Sequence, residues 1–388
     1  MVLSVARIAM FCASGAVLIR SKMKLTALCS FLFFQCLLSA RADDALAGAA
    51  TAPGRQNGVL NSGMRSSPAS AYASAMLGDG KAYGGNTSGD RNMQRRAVEL
   101  RFGPEFDPSA LGMSSLASPG AKVRIDFVHY NEGHPENNHR DGFGAQLVYS
   151  IPFHRRFTGE FAAGPYLSMN TTTIGGEEIN DSNLGILSSL ALRIGLDEYM
   201  PGLHMRIGLN HVSMRDVHSS NALLVGIGKT FDQPPSRAAA GAGAGSSNPV
   251  WISAAIGNSI TNHGGAKSAT GFSLEAKQYY GESWAASIAA IAEGDDDVRV
   301  DRHGVAVQGW FVQPLSENWT LSAGLGPYVA RNTRTMDGTR VHGLLTMQAD
   351  RSLTRTVKVF ASFSRVKTFH EKNDRDLFRI GLTKQFGG

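Results

Sequence analysis

Phe157–Asn170 reads FTGEFAAGPYLSMN. Phe157, Gly159, Phe161, Ala163, Pro165, Leu167 and Met169 fall on one side of an extended chain, and Thr158, Glu160, Tyr166, Ser168 and Asn170 fall on the other. Successive side chains of a strand point to opposite faces, so this spacing predicts a strand with one apolar face and one small or polar face. Asn221–Phe231, NALLVGIGKTF, behaves alike, with Leu223, Val225, Ile227 and Phe231 on one side and Gly226, Gly228 and Thr230 on the other. A soluble barrel or sandwich has the same period. Glycine-rich strands that end in aromatic residues favour the version with lipid outside and a packed interior.

The motif returns. FTGEFAAGPYLSMNT (157–171) is matched by WTLSAGLGPYVARNT (319–333), and Gln146 and Pro152 by Gln308 and Pro314, all 162 positions on. NALLVGIGKTF is matched by DLFRIGLTKQF (376–386), 155 positions on. Matches in one order point to an internal repeat, with copies at 95–231 and 249–386 joined by the Pro/Gly/Ala linker 232–248. Each copy is long enough for eight strands of about ten residues. The expected fold is therefore all-β, two tandem eight-stranded antiparallel barrels. The alternative is one sixteen-stranded barrel, which would enclose water as a passive pore. Residues 43–94, rich in Ala, Gly, Ser and Asn, are expected to be disordered.

Residues 24–42, KLTALCSFLFFQCLLSARA, put a Lys before an apolar run and end on Ala40-Arg41-Ala42. That pattern predicts a secretory signal peptide cut before Asp43, with Met23 as the start of translation and residues 1–22 as an extension of the reading frame. The other reading, a membrane anchor over residues 2–40, is interrupted by Arg20, Lys22 and Lys24. Cys12, Cys29 and Cys36 all lie in this leader, so the exported chain needs no disulfides. The net charge of +6 falls to +1 once the five basic residues of the first 42 are removed, which excludes an argument for nucleic-acid binding. No apolar run of helical-span length follows the leader, so the membrane is open to this chain only through a closed barrel, and the outer membrane is the expected location.

One stretch carries chemistry. In GLHMRIGLNHVSM (202–214), Leu203, Met205, Ile207 and Leu209 share a face, and His211 and Ser213 continue it. A His and a Ser two apart on a strand point the same way, and an imidazole beside a hydroxyl is the start of an activated nucleophile. The pair faces lipid, a place suited to a lipid substrate.

In these residues the chain resembles the outer-membrane lipid A 3-O-deacylases. The resemblance implies an eight-stranded barrel with a His-x-Ser-Asn on the outer wall of strand seven, and a Glu on the last strand orienting the His. It assigns His211 as base and Ser213 as nucleophile. Met214 stands at the Asn that supports the oxyanion, and Asn221 stands at the Glu. In the second copy Arg365 and Lys367 replace the His and Ser, and Asp376 takes the Glu position. A literal His218-Ser219-Ser220-Asn221 also occurs, followed by Asp232. It falls in the turn before the last strand, with Asp232 beyond that strand's far end.

HPENNHRD (134–141) and GDDDVRVD (294–301) hold equivalent places in the copies and are expected to be solvated loops. Neither has the spacing of a known metal site, and no cofactor motif occurs. The expectation is a non-catalytic outer-membrane barrel with a structural or lipopolysaccharide-contacting role. The rival is an esterase acting on lipid A acyl chains. A carboxylate folded against His211 would separate the two. Outer-membrane lipid and lipopolysaccharide are the expected partners, and the oligomeric state stays open.

Overall fold

The structure, a computed structural model, describes residues 70–83, 97–133, 138–174, 177–215, 217–232, 249–261, 267–281, 283–335, 338–369 and 373–387. The first barrel is built from β1 (Ser70–Tyr83), β2 (Ala97–Phe106), β3 (Lys122–Asn131), β4 (Asn138–His154), β5 (Phe157–Ile174), β6 (Glu177–Gly195), β7 (Leu203–Ser213) and β8 (Ser219–Asp232). The second is built from β9 (Val250–Thr261), β10 (Ala269–Tyr280), β11 (Trp284–Asp295), β12 (Asp301–Pro314), β13 (Trp319–Asn332), β14 (Thr339–Ser352), β15 (Val357–Lys367) and β16 (Arg375–Phe386). Neighbours pair antiparallel, and each set closes on itself. β1 runs against β8 from Ser70↔Asp232 to Tyr83↔Ser219, and β9 runs against β16 from Val250↔Phe386 to Thr261↔Arg375. Two separate barrels form, so the single sixteen-stranded alternative is not adopted.

One boundary is corrected. β1 lies inside 43–94, the segment expected to be disordered, so the first barrel begins at Ser70 rather than at residue 95. Its composition hides it for a packing reason. A Cβ on Gly78 would sit 2.0 Å from Leu223 O, and one on Gly80 would sit 2.2 Å from Asn221 O, so the closing seam needs residues without side chains. The leader, residues 43–69 and 84–96, and residues 233–248 of the linker lie outside the described residues.

Both interiors are filled with charge. In the first barrel six buried groups make a closed ring. Arg101 bridges Glu99 (2.7 Å) and Asp126 (3.2 Å), Arg124 bridges Asp126 (2.8 Å) and Glu160 (2.9 Å), and Arg206 bridges Glu160 (2.8 Å) and Glu99 (2.9 Å). The ring balances three guanidinium groups against three carboxylates. Tyr72 packs below it, with the Arg124 guanidinium 3.6 Å from its ring centre. In the second barrel Lys277 lies 3.4 Å over the Trp310 ring, and Gln308, Thr346 and Ser364 are hydrogen-bonded in line. Eight-stranded walls are narrow enough for side chains to fill, and these are filled.

Equivalent residues do equivalent jobs. Gln146 and Gln308 donate to Leu187 O and Leu344 O, and Tyr166 and Tyr328 to Tyr130 O and Ile291 O. Near one mouth of each barrel an Arg–Glu pair, Arg140–Glu132 or Arg302–Glu293, reaches across to the carbonyl before the last strand, His218 O or Asn373 O. At the other end connections 155–156, 315–318 and 353–356 are short, while 107–121 is long.

The outer walls are apolar: Phe161, Leu184, Leu223, Phe272, Leu325 and Ile380 all stand exposed. Among the described residues they are covered most extensively where the barrels meet. An apolar cluster there runs from Ala71, Phe102, Phe143 and Phe231 to Leu321, Leu345 and Met347, with Phe102 and Phe311 stacked at 6.2 Å. β2 is accordingly buried on both faces.

Candidate functional site on the outer wall

β7, β8 and β1 bring polar groups together on the lipid side of the first barrel. The burial of β7 alternates, with His204, Arg206, Gly208, Asn210 and Val212 inside, so His211 and Ser213 point outward as their spacing predicted. His211 stands across from Asn221, and Asn221 across from Lys81. Nδ1 of His211 lies 2.8 Å from Asn221 Oδ1 and 3.0 Å from Tyr83 Oη, and the Tyr83 ring stacks on the imidazole at 6.1 Å. With Asn221 Oδ1 accepting, Nδ1 is the donor of this contact. A shallow groove of about 430 Å³ adjoins the pair, lined by Asp79, Lys81, Leu209, Asn221 and Leu223.

The structure thus brings His211 and Asn221 into contact and leaves Ser213 beside them. Among the described residues no hydrogen bond joins Ser213 to His211. The groups bonded to the imidazole are an amide and a phenol, not a carboxylate. Met214 is turned into the wall, buried and close to Gly185, and its backbone N–H is held by Ser219 Oγ at 3.1 Å. Neither its side chain nor its N–H is free to meet a developing oxyanion.

The literal His218-Ser219-Ser220-Asn221 is divided by the pleat. Ser220 points inward to Arg140 and Glu132, and Asn221 points outward. His218 is buried at the mouth. Burial, with the Arg140 guanidinium beside it and Glu132 opposing, lowers its pKa to about 4. Asp232 sits at the opposite end of β8, paired with Ser70. In the second barrel Arg365 and Asp376 face each other across β15 and β16 at 2.5 Å, while Lys367 meets Asp374 at 2.7 Å.

Sequence reasoning missed the interior ring and the groups Tyr83, Lys81 and Asp79. The signal for the ring was present, since Glu99 and Arg101, and Arg124 and Asp126, are each two apart and therefore on one face. Tyr83, Lys81 and Asp79 could not be found while β1 was read as unstructured. Of the loops, 134–137 lies outside the described residues. Asp296 in the other is buried and clamps its turn, accepting from Thr261 Oγ1 (2.6 Å) and from the backbone N–H of Val298, Arg299 and Val300. Burial opposes its charge, but these bonds prevail and hold the carboxyl at about 2. No group of metal-ligating side chains gathers among the described residues.

No protein-family model and no curated protein matches this chain. Among solved structures, it is similar to Neisserial surface protein A at 14% identity and a TM-score of 0.30, over 42% of this chain and 97% of that one. It is similar to the attachment invasion locus protein Ail of Yersinia pestis at 11% identity and a TM-score of 0.30, over 41% and 98%. The monoaromatic hydrocarbon channel CymD matches at 9% identity and a TM-score of 0.24, over 83% and 90%. Closed antiparallel walls, apolar outside and charged within, leave no backbone edge unpaired in lipid. They define an outer-membrane β-barrel protein, and the outer membrane is where this chain resides.

Proposed function

We propose that the chain is a non-catalytic outer-membrane barrel protein that holds outer-leaflet lipid, lipopolysaccharide in particular, against the wall of its first barrel. The observation that carries this reading is a row of polar side chains beside a shallow groove on a lipid-facing wall. Asp79, Lys81, Tyr83, His211 and Asn221 stand towards the Arg–Glu mouth, at headgroup height when that mouth faces outward, with Leu209 and Leu223 below them for acyl chains. Lys81 supplies charge for a phosphate, and the Tyr83–His211–Asn221 row supplies donors and acceptors for sugar hydroxyls. The test is lipid retention by the purified protein reconstituted in vesicles with and without lipopolysaccharide. Lys81→Gln with His211→Ala should lower the lipopolysaccharide retained, and unchanged retention would refute the reading.

The second reading is a lipid A 3-O-deacylase-type esterase, the activity implied by the resemblance. Its support is that His211 and Ser213 share the outward face. Against it stand the absent carboxylate and the engaged Met214 N–H, since an oxyanion donor alone contributes about 3 kcal/mol. Release of hydroxy fatty acid by the wild type, abolished in Ser213→Ala, would establish it.

A further inference from the structure

The outer walls carry a second set of charged groups, where the barrels touch. Arg365 projects outward from β15 and Asp141 outward from β4, and Arg365 Nη2 lies 3.1 Å from Asp141 Oδ2. Asp376 accepts from Nε of the same guanidinium at 2.5 Å and from Nη2 at 3.1 Å, and His129 Nε2 lies 2.8 Å from Asp141 Oδ1. The side chains of Arg365, Asp141 and His129 are 1%, 3% and 7% exposed. Phe143 and Phe363 close over the imidazole, with ring centres 4.8 and 5.4 Å away.

We propose that Asp141 and Arg365, with His129 and Asp376, form a lock on the outer walls that joins the two barrels of one chain into a single unit. The partner of each wall is the other barrel. Charged side chains on a lipid-facing wall are unfavourable, and a wall that met lipid here would gain by apolar residues. Asp79 and Lys81 also point outward, near the mouth of the first barrel, whereas Asp141 and Arg365 meet each other across the contact. The geometry is directional as well as attractive. Arg365 gives Nε and Nη2 to Asp376 on its own barrel and shares Nη2 with Asp141 on the other, so one guanidinium ties the two carboxylates and fixes both the face and the height at which the barrels dock. Below it, Phe102 on Phe311 and the apolar cluster fill the remaining contact. Apolar contact alone would not select one face in lipid, which is as apolar as the side chains it replaces.

The test uses the full chain in lipid vesicles, with a protease site placed in the linker 232–248. After cleavage, the two halves of the wild type should remain together on a non-denaturing gel. Arg365→Gln leaves Asp141 and Asp376 facing each other without a cation, and should weaken the association of the cut halves about 100-fold. Asp141→Asn should weaken it less, and the double variant should fall short of the sum of the two. Heat-modifiable migration of both halves confirms that each barrel is folded. Should Arg365→Gln fail that control, cross-linking decides. With Cys12, Cys29 and Cys36 changed to Ser, Phe102→Cys with Phe311→Cys should react with a short bifunctional thiol reagent, and Leu223→Cys with Ile380→Cys should not. Separation of the cut wild-type halves, association indifferent to Arg365, or equal cross-linking of both pairs would overturn the lock and leave two barrels tethered by their linker.

Discussion

Arg365 and His211 hold the same place on their respective barrels: each points outward from the seventh strand, one step across from an eighth-strand partner, Asp376 for Arg365 and Asn221 for His211. In the second barrel the site is covered, because Arg365 reaches Asp141 of the first. In the first it is open, beside the groove between Lys81 and Leu209. One position on the barrel wall thus serves contact between barrels in one copy and faces lipid in the other.

The open site gives a chemical prediction. Installing both missing groups of the deacylase pattern, Asn221→Glu and Met214→Asn, should not produce hydrolysis. A Glu at 221 can reach His211, but residue 214 faces the interior and its N–H is held by Ser219, so the new amide cannot meet an outward oxyanion. Release of hydroxy fatty acid from lipopolysaccharide measures this, and turnover well above background would show that 214 can rotate outward.

The interior ring gives a stability prediction. Arg206→Met removes the bridge between Glu99 and Glu160 and leaves both carboxylates buried. Breaking a buried pair from one side costs about 3–5 kcal/mol, whereas replacing groups on both sides often costs far less. Urea unfolding in detergent should therefore show a large loss for Arg206→Met. Adding Glu160→Gln to Arg206→Met should recover part of it, and equal midpoints for the two variants would contradict the ring's role.

The mouths respond to pH with different windows. His218 titrates at about 4 in the folded chain and near 6.5 when unfolded, so the unfolded state binds the proton first. Its contribution is complete above about pH 6.5 and is lost as pH falls towards 4. Asp296 titrates at about 2 against 3.8, so its contribution holds above 3.8 and fades only as pH falls towards 2. Hydrogen exchange measured from pH 7 to pH 4.5 should then rise at 217–220 and stay flat at 296–300, corrected for intrinsic rates. His218→Asn should flatten the first, and a rise at both mouths together would argue for general acid loosening instead.

Much of the fold could be read from period-two strands because lipid demands it: Phe161, Leu223 and Ile380 have no other place to go. The outward placement of His211 and Ser213 followed from the same rule. What stayed hidden depended on neighbours distant in sequence. β1 looks unstructured because its outward Ala71 and Ala73 lie against the second barrel and its Gly78 and Gly80 lie against β8, so neither face needs bulk. The Asp141–Arg365 contact joins residues 224 apart, and nothing local marks either as a partner.

The closing seam yields the last prediction. Residues 95–231 contain seven of the eight strands of the first barrel, lacking β1. Without it, β2 and β8 keep their outer hydrogen-bonding edges unpaired, and each unsatisfied backbone group in hydrocarbon costs several kcal/mol. Closing β8 directly on β2 would need a smaller barrel whose interior could not hold the ring of Arg101, Arg124 and Arg206. Residues 70–232 should refold in detergent to a heat-modifiable, strand-rich species, and residues 95–231 should not. Supplying 70–83 as a separate peptide should restore some folding, because β1 pairs along both edges and brings Tyr72 against Arg124 and Tyr83 against His211. Refolding of 95–231 alone with the same heat modifiability would show that β1 is an addition to the barrel rather than its closing strand.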